Sequence, residues 1–555
     1  MKKMQLSNSY FKLILLLTLL FNFKNHLFSQ EKSIVLGRPT NTSVTASILF
    51  DMNVNFYISY GIQTGNYTNI TNTFTNVPNT PDEVELSNLL PNTQYYYTLN
   101  FKPTNSSTYT ISQEYTFHTQ RAPGDEFVFT LEADEHLYDH KGVANMYNVT
   151  LANEAQDKPD FMLSLGDIFG DDHNPHTITS YELDTLHRHY RSFLGKICHS
   201  IPFYVCLGNH EGEMNYYLGQ NPPNNLAAWG TQWRNFYYPN PSPNSFYSGN
   251  QEIEPFGIGS PKNYYSWTWG DALFVVLDVY RYQSISDTTA KPKNWDWTIG
   301  QTQYDWLKST LEGSTSKYKF VFAHHIRGQG RGGVTNAKLF EWGGYEQDGT
   351  TYTFPVNRPN MAKPIHNLFV DNGVNIFFQG HDHVFAHEVM DGVTYQALPM
   401  PSDSTYMIGK LANADAYTSD TLDGTGHIRV TVNGGCTQVD YVKAYLPADT
   451  LSGLHHNGEI GFSYTIGDCS INNIFEKDIT EQIKVYPNPA KDKITVTNLN
   501  STEHLNSIEL LDTFGNIIFR ALNTEIDTKS ISNGVYFLRI NSDKSTTTKK
   551  IVINH

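Results

Sequence analysis

Residues 374–383, with the sequence VNIFFQGHDH, carry two histidines directly after an apolar run. A short apolar run that ends at a glycine is typical of a buried strand, so His381 and His383 are expected where a strand ends. Imidazoles two residues apart on a turning backbone can serve two adjacent metal ions. On its own, the tetrapeptide Gly380-His381-Asp382-His383 is weak evidence for a metal site. The polar residues that follow other strands decide how it is interpreted.

Four more polar clusters follow apolar strands upstream, and they are Asp134-Glu135-His136, Gly166-Asp167, Gly208-Asn209-His210-Glu211 and His324-His325. Imidazole suits zinc, iron, manganese or cobalt, a carboxylate can bridge two ions, and an asparagine carbonyl adds a neutral ligand. Taken singly, each cluster has an ordinary explanation as a turn, as surface polarity or as a structural histidine pair. Five clusters at strand ends together predict a site for two metal ions.

The strands before these clusters alternate with helical segments between residues 125 and 465. Strands are predicted at 127–131, 161–165, 201–207, 273–277, 318–323 and 374–378. A Thr179-x-x-Glu182 capping box begins one helix, and two more are predicted near 302–311 and 363–370. This alternation indicates a largely parallel sheet covered by helices, in which sites form at the carboxyl ends of strands. Residues 212–263 and 327–360 are predicted to be long functional loops, and the aromatic stretch 264–271 is expected in the core.

The composition bounds the class of protein. The chain has 555 residues, too many for one ordinary domain, and its formal net charge of −16 argues against nucleic acid as a partner. Lys2 and Lys3 precede a short apolar run at 13–21, which is the layout of a secretory signal peptide at 1–29. No later apolar run is long enough for a transmembrane segment.

The regions on either side of residues 125–465 are β-rich. Residues 31–120 show short alternating segments and resemble the fibronectin type III-like β-sandwich that precedes purple-acid-phosphatase-like domains. A polar linker at 466–482 leads to a small β unit at 483–555, with a Tyr-Pro-Asn-Pro opening at 486–489, a Gly-x-Tyr strand at 534–536 and a Lys-Lys end at 549–550. This unit resembles the C-terminal sorting domain of the type IX secretion system. The resemblance implies export to the cell surface or medium by that machinery.

The five clusters, in this order, resemble the calcineurin-like metallophosphoesterase superfamily. The resemblance implies a four-layer αββα domain that binds two divalent or trivalent ions, with iron, zinc or manganese as the candidates. It assigns the first ion to Asp134, His136 and His383, the second to Asn209, His324 and His381, and the bridging position to Asp167. It makes His210 a catalytic residue that binds a phosphate oxygen or protonates the leaving alkoxide.

These features predict a secreted phosphohydrolase in which metal-bound hydroxide, held near Asp167, attacks the phosphorus of a phosphomonoester or phosphodiester. A monoester is the favoured substrate. The alternative is a secreted adhesin or glycan-binding protein with a relict metal centre. The complete set of ligands argues for the enzyme, because a relict site should have lost some of them.

Several positions leave alternatives open. Gly170 stands where purple acid phosphatases carry the tyrosine that ligates ferric iron, so no tyrosinate-to-iron charge-transfer band is expected. The carboxylate partner of His210 is either Asp171 or Asp172. His324 is favoured as a ligand over His325, which either faces the substrate or is structural. Arg331 or Arg327 holds a phosphate, or both are solvated charges in a glycine-rich loop.

The four cysteines give a further choice. Cys436 and Cys469 can form a disulfide in an exported protein, and so can Cys198 and Cys206. The alternative for Cys206, which lies in an apolar strand, is a buried free thiol.

Overall fold

The computed structural model describes residues 32–218, 225–283, 293–326, 330–469, 484–497, 505–512, 516–542 and 546–555. The predicted signal peptide, Arg327 and residues 470–482 of the predicted linker lie outside these ranges. The chain divides into two compact units, Met1–Ile466 and Gly467–His555.

The first unit begins with an all-β sandwich. Its strands are β1 (Lys32–Gly37), β2 (Val44–Phe50), β3 (Val54–Gly61), β4 (Asn69–Ile70), β5 (Phe74–Asn76), β6 (Asp82–Leu86), β7 (Gln94–Pro103), β8 (Thr110–Ile111) and β9 (Tyr115–His118). One sheet has the order β1-β2-β6, and the other has β4-β3-β7-β8 with β5 and β9 on its edges. Alternate side chains of β3 point inward, as a strand with one buried face requires, and Phe56 meets Phe50 and Phe74 in the core. The predicted sandwich is confirmed.

The central domain holds two mixed sheets. The first has the order β12-β11-β10-β21-β22-β23, and the second has β13-β14-β15-β16-β17-β19-β18-β20. Their strands are β10 (Phe127–Glu132), β11 (Phe161–Ser164), β12 (Phe203–Val205), β13 (Ser248–Gly249), β14 (Tyr265–Trp269), β15 (Ala272–Val276), β16 (Tyr318–Phe322), β17 (Ile376–Gln379), β18 (Phe385–Met390), β19 (Val393–Ala397), β20 (Asp420–Leu422), β21 (Gly426–Val432), β22 (Cys436–Lys443) and β23 (Ile460–Gly467). Strands β10, β11 and β12 are parallel to one another, and so are β15, β16, β17 and β19.

Helices cover the outer faces of both sheets. They are α1 (Ala144–Asp157), α2 (Ser180–Leu194), α3 (Leu226–Tyr237), α4 (Gln301–Gly313), α5 (Val334–Ala337), α6 (Phe340–Gly343), α7 (Phe354–Asn357) and α8 (Ile365–Asp371). Helices α1 and α2 pack on the first sheet, α4 and α8 pack on the second, and an aromatic core that includes Phe129, Phe274 and Phe378 joins the two sheets. This is the predicted four-layer αββα arrangement.

The capping box of α2 is confirmed. The Thr179 hydroxyl accepts the Glu182 N–H at 3.2 Å, and the Glu182 carboxylate accepts the Thr179 N–H at 2.7 Å. The aromatics of β14 are buried, as expected, with Trp267 and Trp269 in the core between the sheets.

The sequence interpretation missed the long helices α1 and α3 and the short helices α5 to α7. Helix α3 lies inside the stretch 212–263, which was predicted to be a loop. Its Gly230 weakens the helical pattern in the sequence, because glycine has a low helix propensity. A Cβ at Gly230 would lie 3.0 Å from the Glu211 carbonyl oxygen, so the glycine permits close packing of helix on loop. Helix α1 was missed because its buried face carries the polar residues Thr150, Asn153 and Glu154, which mask the apolar periodicity. Short helices α5 to α7 likewise occupy much of the second predicted loop, 327–360.

The second unit is a small β domain. Its strands are β24 (Lys484–Tyr486), β25 (Lys493–Thr497), β26 (Leu505–Leu511), β27 (Ile517–Ala521), β28 (Glu525–Asp527), β29 (Gly534–Ser542) and β30 (Thr546–Ile553). They form sheets of order β24-β25-β28 and β27-β26-β29-β30 around an aliphatic core. The predicted C-terminal β-sandwich fold is confirmed.

The cysteines separate into two kinds. Cys198 and Cys206 are buried free thiols, so the predicted alternative for Cys206 holds and a Cys198–Cys206 disulfide does not form. Cys436 and Cys469 are disulfide-bonded. In the described parts of the chain, none of the helices has the length and apolar character needed to cross a bilayer.

Candidate metal centre

The five polar clusters meet at one edge of the two sheets. Asp134 follows β10, Asp167 follows β11 and Asn209 follows β12, all in the first sheet. His324 follows β16, and the 380–383 turn follows β17, both in the second sheet. Because these strands are parallel within each sheet, their carboxyl ends bring the clusters to the same place.

A first group consists of Asp134, His136 and His383. His383 Nε2 lies 3.4 Å from Asp134 Oδ1, and His136 Nε2 lies 3.8 Å from the same oxygen. The donor atoms of all three residues lie within 4.8 Å of one another. Asp134 and His136 are almost completely buried.

A second group consists of Asp167, His324 and His381, whose donor atoms also lie within 4.8 Å of one another. His324 Nε2 is 3.2 Å from Asp167 Oδ2, and His381 Nδ1 is 2.9 Å from Asn209 Oδ1. Asp167 Oδ2 lies 3.8 Å from His136 Nε2 of the first group as well. One carboxylate oxygen therefore faces both groups.

The donor atoms fit metal ions because several of them are buried and have no other partner. Asp134 Oδ1, His136 Nε2 and His324 Nε2 make no hydrogen bond with any described residue. Buried polar atoms without partners are costly, so a native site has a reason for them. Atoms bound to one ion at about 2.1 Å lie roughly 3–4 Å from each other. The separations of 3.2–3.8 Å found within the two groups match that spacing.

The electrostatics of the site favour cations. Burial lowers the pKa of His324, but Asp167 and Asp134 outweigh burial and raise it to about 10. The same competition raises the pKa of His136 to about 9. Burial and the neighbouring His324 lower the pKa of His381 to about 3. Two buried carboxylates thus create a field that draws positive charge into the centre.

The backbone is strained at the predicted ligands. Five of them adopt left-handed conformations, with φ values of 65° at Asp134, 47° at His136, 58° at Asp167, 71° at His381 and 58° at His383. Such strain in residues other than glycine clusters at functional sites. A Cβ at Gly380 would lie 2.6 Å from Asp134 Oδ2, so the 380–383 turn needs a glycine to approach the first group.

Glu211 organises the loops of the centre, a role that sequence reasoning did not assign. Its buried carboxylate accepts backbone N–H groups from Gly208 at 2.6 Å, Ile168 at 2.8 Å and Asp167 at 3.0 Å. It thereby ties the turn after β11 to the turn after β12. The sequence signal for this role is the position of Glu211, an acidic residue directly after Gly208-Asn209-His210.

His210 lies beside the two groups, and the structure identifies its partner. His210 Nδ1 donates to Asp172 Oδ1 at 2.6 Å, whereas Asp171 accepts from His173. Burial lowers the pKa of His210, but Asp167 and Asp172 outweigh burial, so the net shift is upward. His210 Nε2 remains 3.9 Å from Asp167 Oδ2, beyond hydrogen-bond distance.

His325, Arg331 and Asp382 belong to neither of the two groups of ligands. His325 is buried, with its ring 4.8 Å from that of His381. Arg331 is exposed. Asp382 accepts the Gly332 N–H at 2.8 Å and the Tyr417 hydroxyl at 2.7 Å, so it stabilises the turn.

Gly170 packs against the backbone of the loop after β12. A Cβ at this position would lie 2.0 Å from the His210 carbonyl oxygen and 2.1 Å from the Glu211 Cα. This backbone therefore has no room for a tyrosine at position 170.

Comparisons with known proteins agree with this fold and with the family that the sequence resembles. Residues 130–385 match the family of calcineurin-like phosphoesterases, and residues 484–554 match the secretion system C-terminal sorting domain. No curated protein matches the sequence. A solved structure of PhoD is 17% identical with a TM-score of 0.55, and the match covers 78% of this chain and 90% of that one. Purple acid phosphatase PPD1 from yellow lupin (Lupinus luteus) seeds is 14% identical with a TM-score of 0.52, covering 79% and 74%.

At these identities the two structures show a common fold and nothing more. Fold and family together define a phosphoesterase domain of the kind that uses divalent metal ions. More narrowly, residues 130–385 form a calcineurin-like phosphoesterase domain, as the five clusters predicted. The C-terminal sorting domain directs the protein to secretion or to the cell surface.

Proposed function

We propose that this protein is a secreted phosphohydrolase with a dinuclear metal centre. The first group and the bridging Asp167 hold one ion, and Asp167, Asn209, His324 and His381 hold the other. Iron, zinc and manganese suit this mixture of imidazole and carboxylate ligands. The type IX secretion machinery is the proposed partner in export, through the sorting domain at 484–554.

One observation carries the proposal. Asp167 Oδ2 lies 3.2 Å from His324 Nε2 and 3.8 Å from His136 Nε2, so a single carboxylate oxygen stands between two groups of ligands. A carboxylate in this position is suited to bridge two ions. Structural ion pairs do not require the orphaned buried donor atoms found on both sides of it.

When bound, a pair of ions polarises a phosphoryl group and activates a water molecule for in-line attack. The residues of the chain orient the ligands and position the proton. The buried His324 donates from Nδ1 to the Leu165 carbonyl oxygen at 2.8 Å, which turns its Nε2 toward Asp167. His210 likewise donates from Nδ1 to Asp172, and the raised pKa of His210 favours the protonated ring, whose Nε2–H can hydrogen-bond a phosphate oxygen or pass to the leaving alkoxide.

The substrate is a phosphomonoester or a phosphodiester, and we favour the monoester. His325 and Arg331 are proposed to contact it. The negative net charge of the chain does not oppose an anionic substrate, because bound ions dominate the local field. The ligand set is complete, which favours the enzyme over a glycan-binding protein with a relict centre.

The test compares the wild type with Asp167→Asn and His210→Ala on p-nitrophenyl phosphate and bis(p-nitrophenyl) phosphate, after loading with manganese, zinc or iron. We expect wild-type turnover of at least one ester and a loss of about 10²–10⁴-fold in each variant. His189→Ala is the matched control, because this exposed imidazole on α2 contacts only Tyr190 and Phe193 among the rings described. A wild type that hydrolyses neither ester, binds no metal and binds glycans would support the relict centre instead.

A further inference from the structure

A second imidazole lies directly beside His210. The ring of His173 stacks on that of His210, with the ring centroids 4.9 Å apart and the planes at 14°. Each ring is fixed at Nδ1 by a neighbouring carboxylate of one loop. His210 Nδ1 lies 2.6 Å from Asp172 Oδ1, and His173 Nδ1 lies 2.8 Å from Asp171 Oδ1. The loop thus presents two parallel imidazole–carboxylate pairs.

Both pairs leave Nε2 as the remaining polar atom of the ring. The nearest carboxylate oxygen to His210 Nε2 is Asp167 Oδ2 at 3.9 Å, and for His173 Nε2 it is Asp139 Oδ2, also at 3.9 Å. Both distances exceed a hydrogen bond. Each ring donates from Nδ1 to its carboxylate, so the neutral ring offers Nε2 as a hydrogen-bond acceptor. The pair is therefore suited to meet two polar groups of one bound molecule.

The two rings form a path from the centre to solvent. The His210 side chain is 19% exposed and borders Asp167, whereas the His173 side chain is 42% exposed. A phosphoryl group held near Asp167 would lie next to the His210 ring, which is 3.9 Å from that carboxylate. The next ring outward then faces the organic part of the substrate.

The charges around the outer ring indicate which polar group it meets. Asp139, Asp171 and Asp172 surround the two rings, and Lys141 pairs with Asp139 at 2.7 Å. Three carboxylates against one lysine disfavour a second phosphate and favour a neutral hydroxyl. A hydroxyl, unlike a phosphate dianion, can donate a hydrogen bond to Nε2 of the neutral imidazole.

We infer that His173 is a specificity-determining residue that binds a hydroxyl of the leaving group through Nε2, so that polyol phosphates are the preferred substrates. This inference rests on the proposed phosphohydrolase function. It gives His210 the ester oxygen and His173 the hydroxyl on the adjacent carbon.

The experiment compares glycerol 2-phosphate with isopropyl phosphate, which has the same branched carbon skeleton without hydroxyls. Full-length, metal-loaded protein is used, and pyrophosphate tests the competing anionic acceptor. The wild type should prefer glycerol 2-phosphate to both. His173→Ala should lower its kcat/KM at least about fivefold more than that of isopropyl phosphate, mainly through KM. His173→Gln, which keeps a side-chain hydrogen-bond acceptor, should recover part of the preference, and His189→Ala should leave it unchanged.

Each of the following outcomes would contradict the inference. An equal loss on both alkyl phosphates would show that His173 only packs against His210. A preference for pyrophosphate that His173→Ala abolishes would assign the ring to a phosphate. A fall in metal content in His173→Ala would make the residue a ligand. If the wild type also fails to hydrolyse p-nitrophenyl phosphate, the proposed function itself is wrong, whereas turnover of that ester without a polyol preference contradicts only the inference.

Discussion

The two groups of ligands are supported in different ways. In the second group, His324 is fully buried and donates from Nδ1 to the carbonyl oxygen of Leu165, next to the end of β11. In the first group, His136 Nδ1 meets the Tyr138 hydroxyl at 2.9 Å and Asp139 Oδ2 at 3.2 Å, both from the loop after β10. The sheet itself orients one histidine, and loop side chains orient the other.

This difference indicates which of the two groups is more sensitive to substitutions in nearby loops. A backbone carbonyl at the end of a buried strand stays in place whatever the sequence of nearby loops. A carboxylate or phenol can be lost by one substitution, and such outer partners tune metal affinity. We therefore expect the first group to bind its ion more weakly and to respond more strongly to changes in the 138–141 loop.

The largest effect is expected when separate substitutions remove the ion of one group or of the other. His383→Ala should remove the ion of the first group and His381→Ala the ion of the second, because each variant deletes a ligand of one group. The double variant should bind neither ion and lose all measurable turnover. Metal analysis and hydrolysis of p-nitrophenyl phosphate measure both effects.

The control for these variants is His387→Ala, which alters an imidazole on β18 that contacts Tyr464 with the ring centroids 4.4 Å apart and belongs to neither group. It should keep both ions and full turnover. If His381→Ala and His383→Ala lose the same ion, the division into two groups is wrong.

A smaller effect is expected from the loop that supports His136. Asp139→Asn should weaken binding at the first group about 10–100-fold and leave the second group unchanged. Asp139 keeps His136 oriented and also pairs with Lys141 at 2.7 Å, so Lys141→Met serves as a control for the loss of that ion pair alone. Competition with a chelator measures the two affinities. Equal weakening at both groups would contradict the comparison.

Acidity should weaken both groups, by about tenfold per pH unit for each proton displaced. In the metal-free protein the pKa of His324 is about 10 and that of His136 about 9, so both rings carry a proton at pH 7. A binding ion must displace these protons, and affinity should therefore rise with pH from 7 through about 9 and level off above about 10. Calorimetry in buffers of different ionisation enthalpy counts the released protons. A release of none at pH 7 would contradict the prediction.

The smallest expected effect is spectroscopic. Position 170 is a glycine packed on the His210 carbonyl, so no phenol reaches the centre from the place where purple acid phosphatases supply one. The iron-loaded protein should therefore show no purple absorption band. An intense visible band that depends on iron would show that another tyrosine has taken this role.

Sequence reasoning selected the residues that the structure brings together in the candidate centre, because apolar strands and polar strand ends differ sharply in composition. His381 and His383, for example, follow four buried residues of β17. It did not find Tyr138, Asp139, His173 or Glu211 as supporting residues, because their roles depend on contacts with residues distant in the chain or on the shape of a loop. The choice between Asp171 and Asp172 needed side-chain directions, which spacing does not contain. Helix α1 was hidden by polar residues buried for local reasons, such as Glu154, which accepts the Thr130 hydroxyl at 2.6 Å.

The central claim is that two ions, bridged by Asp167, are both needed for hydrolysis. The most direct measurement titrates chelator-stripped, full-length protein with manganese, zinc or iron while the initial rate on p-nitrophenyl phosphate is followed. The account predicts almost no turnover with the first equivalent and a rate that rises with the second and saturates near two ions per chain. Full turnover by the stripped protein, or saturation at one ion per chain, would contradict it.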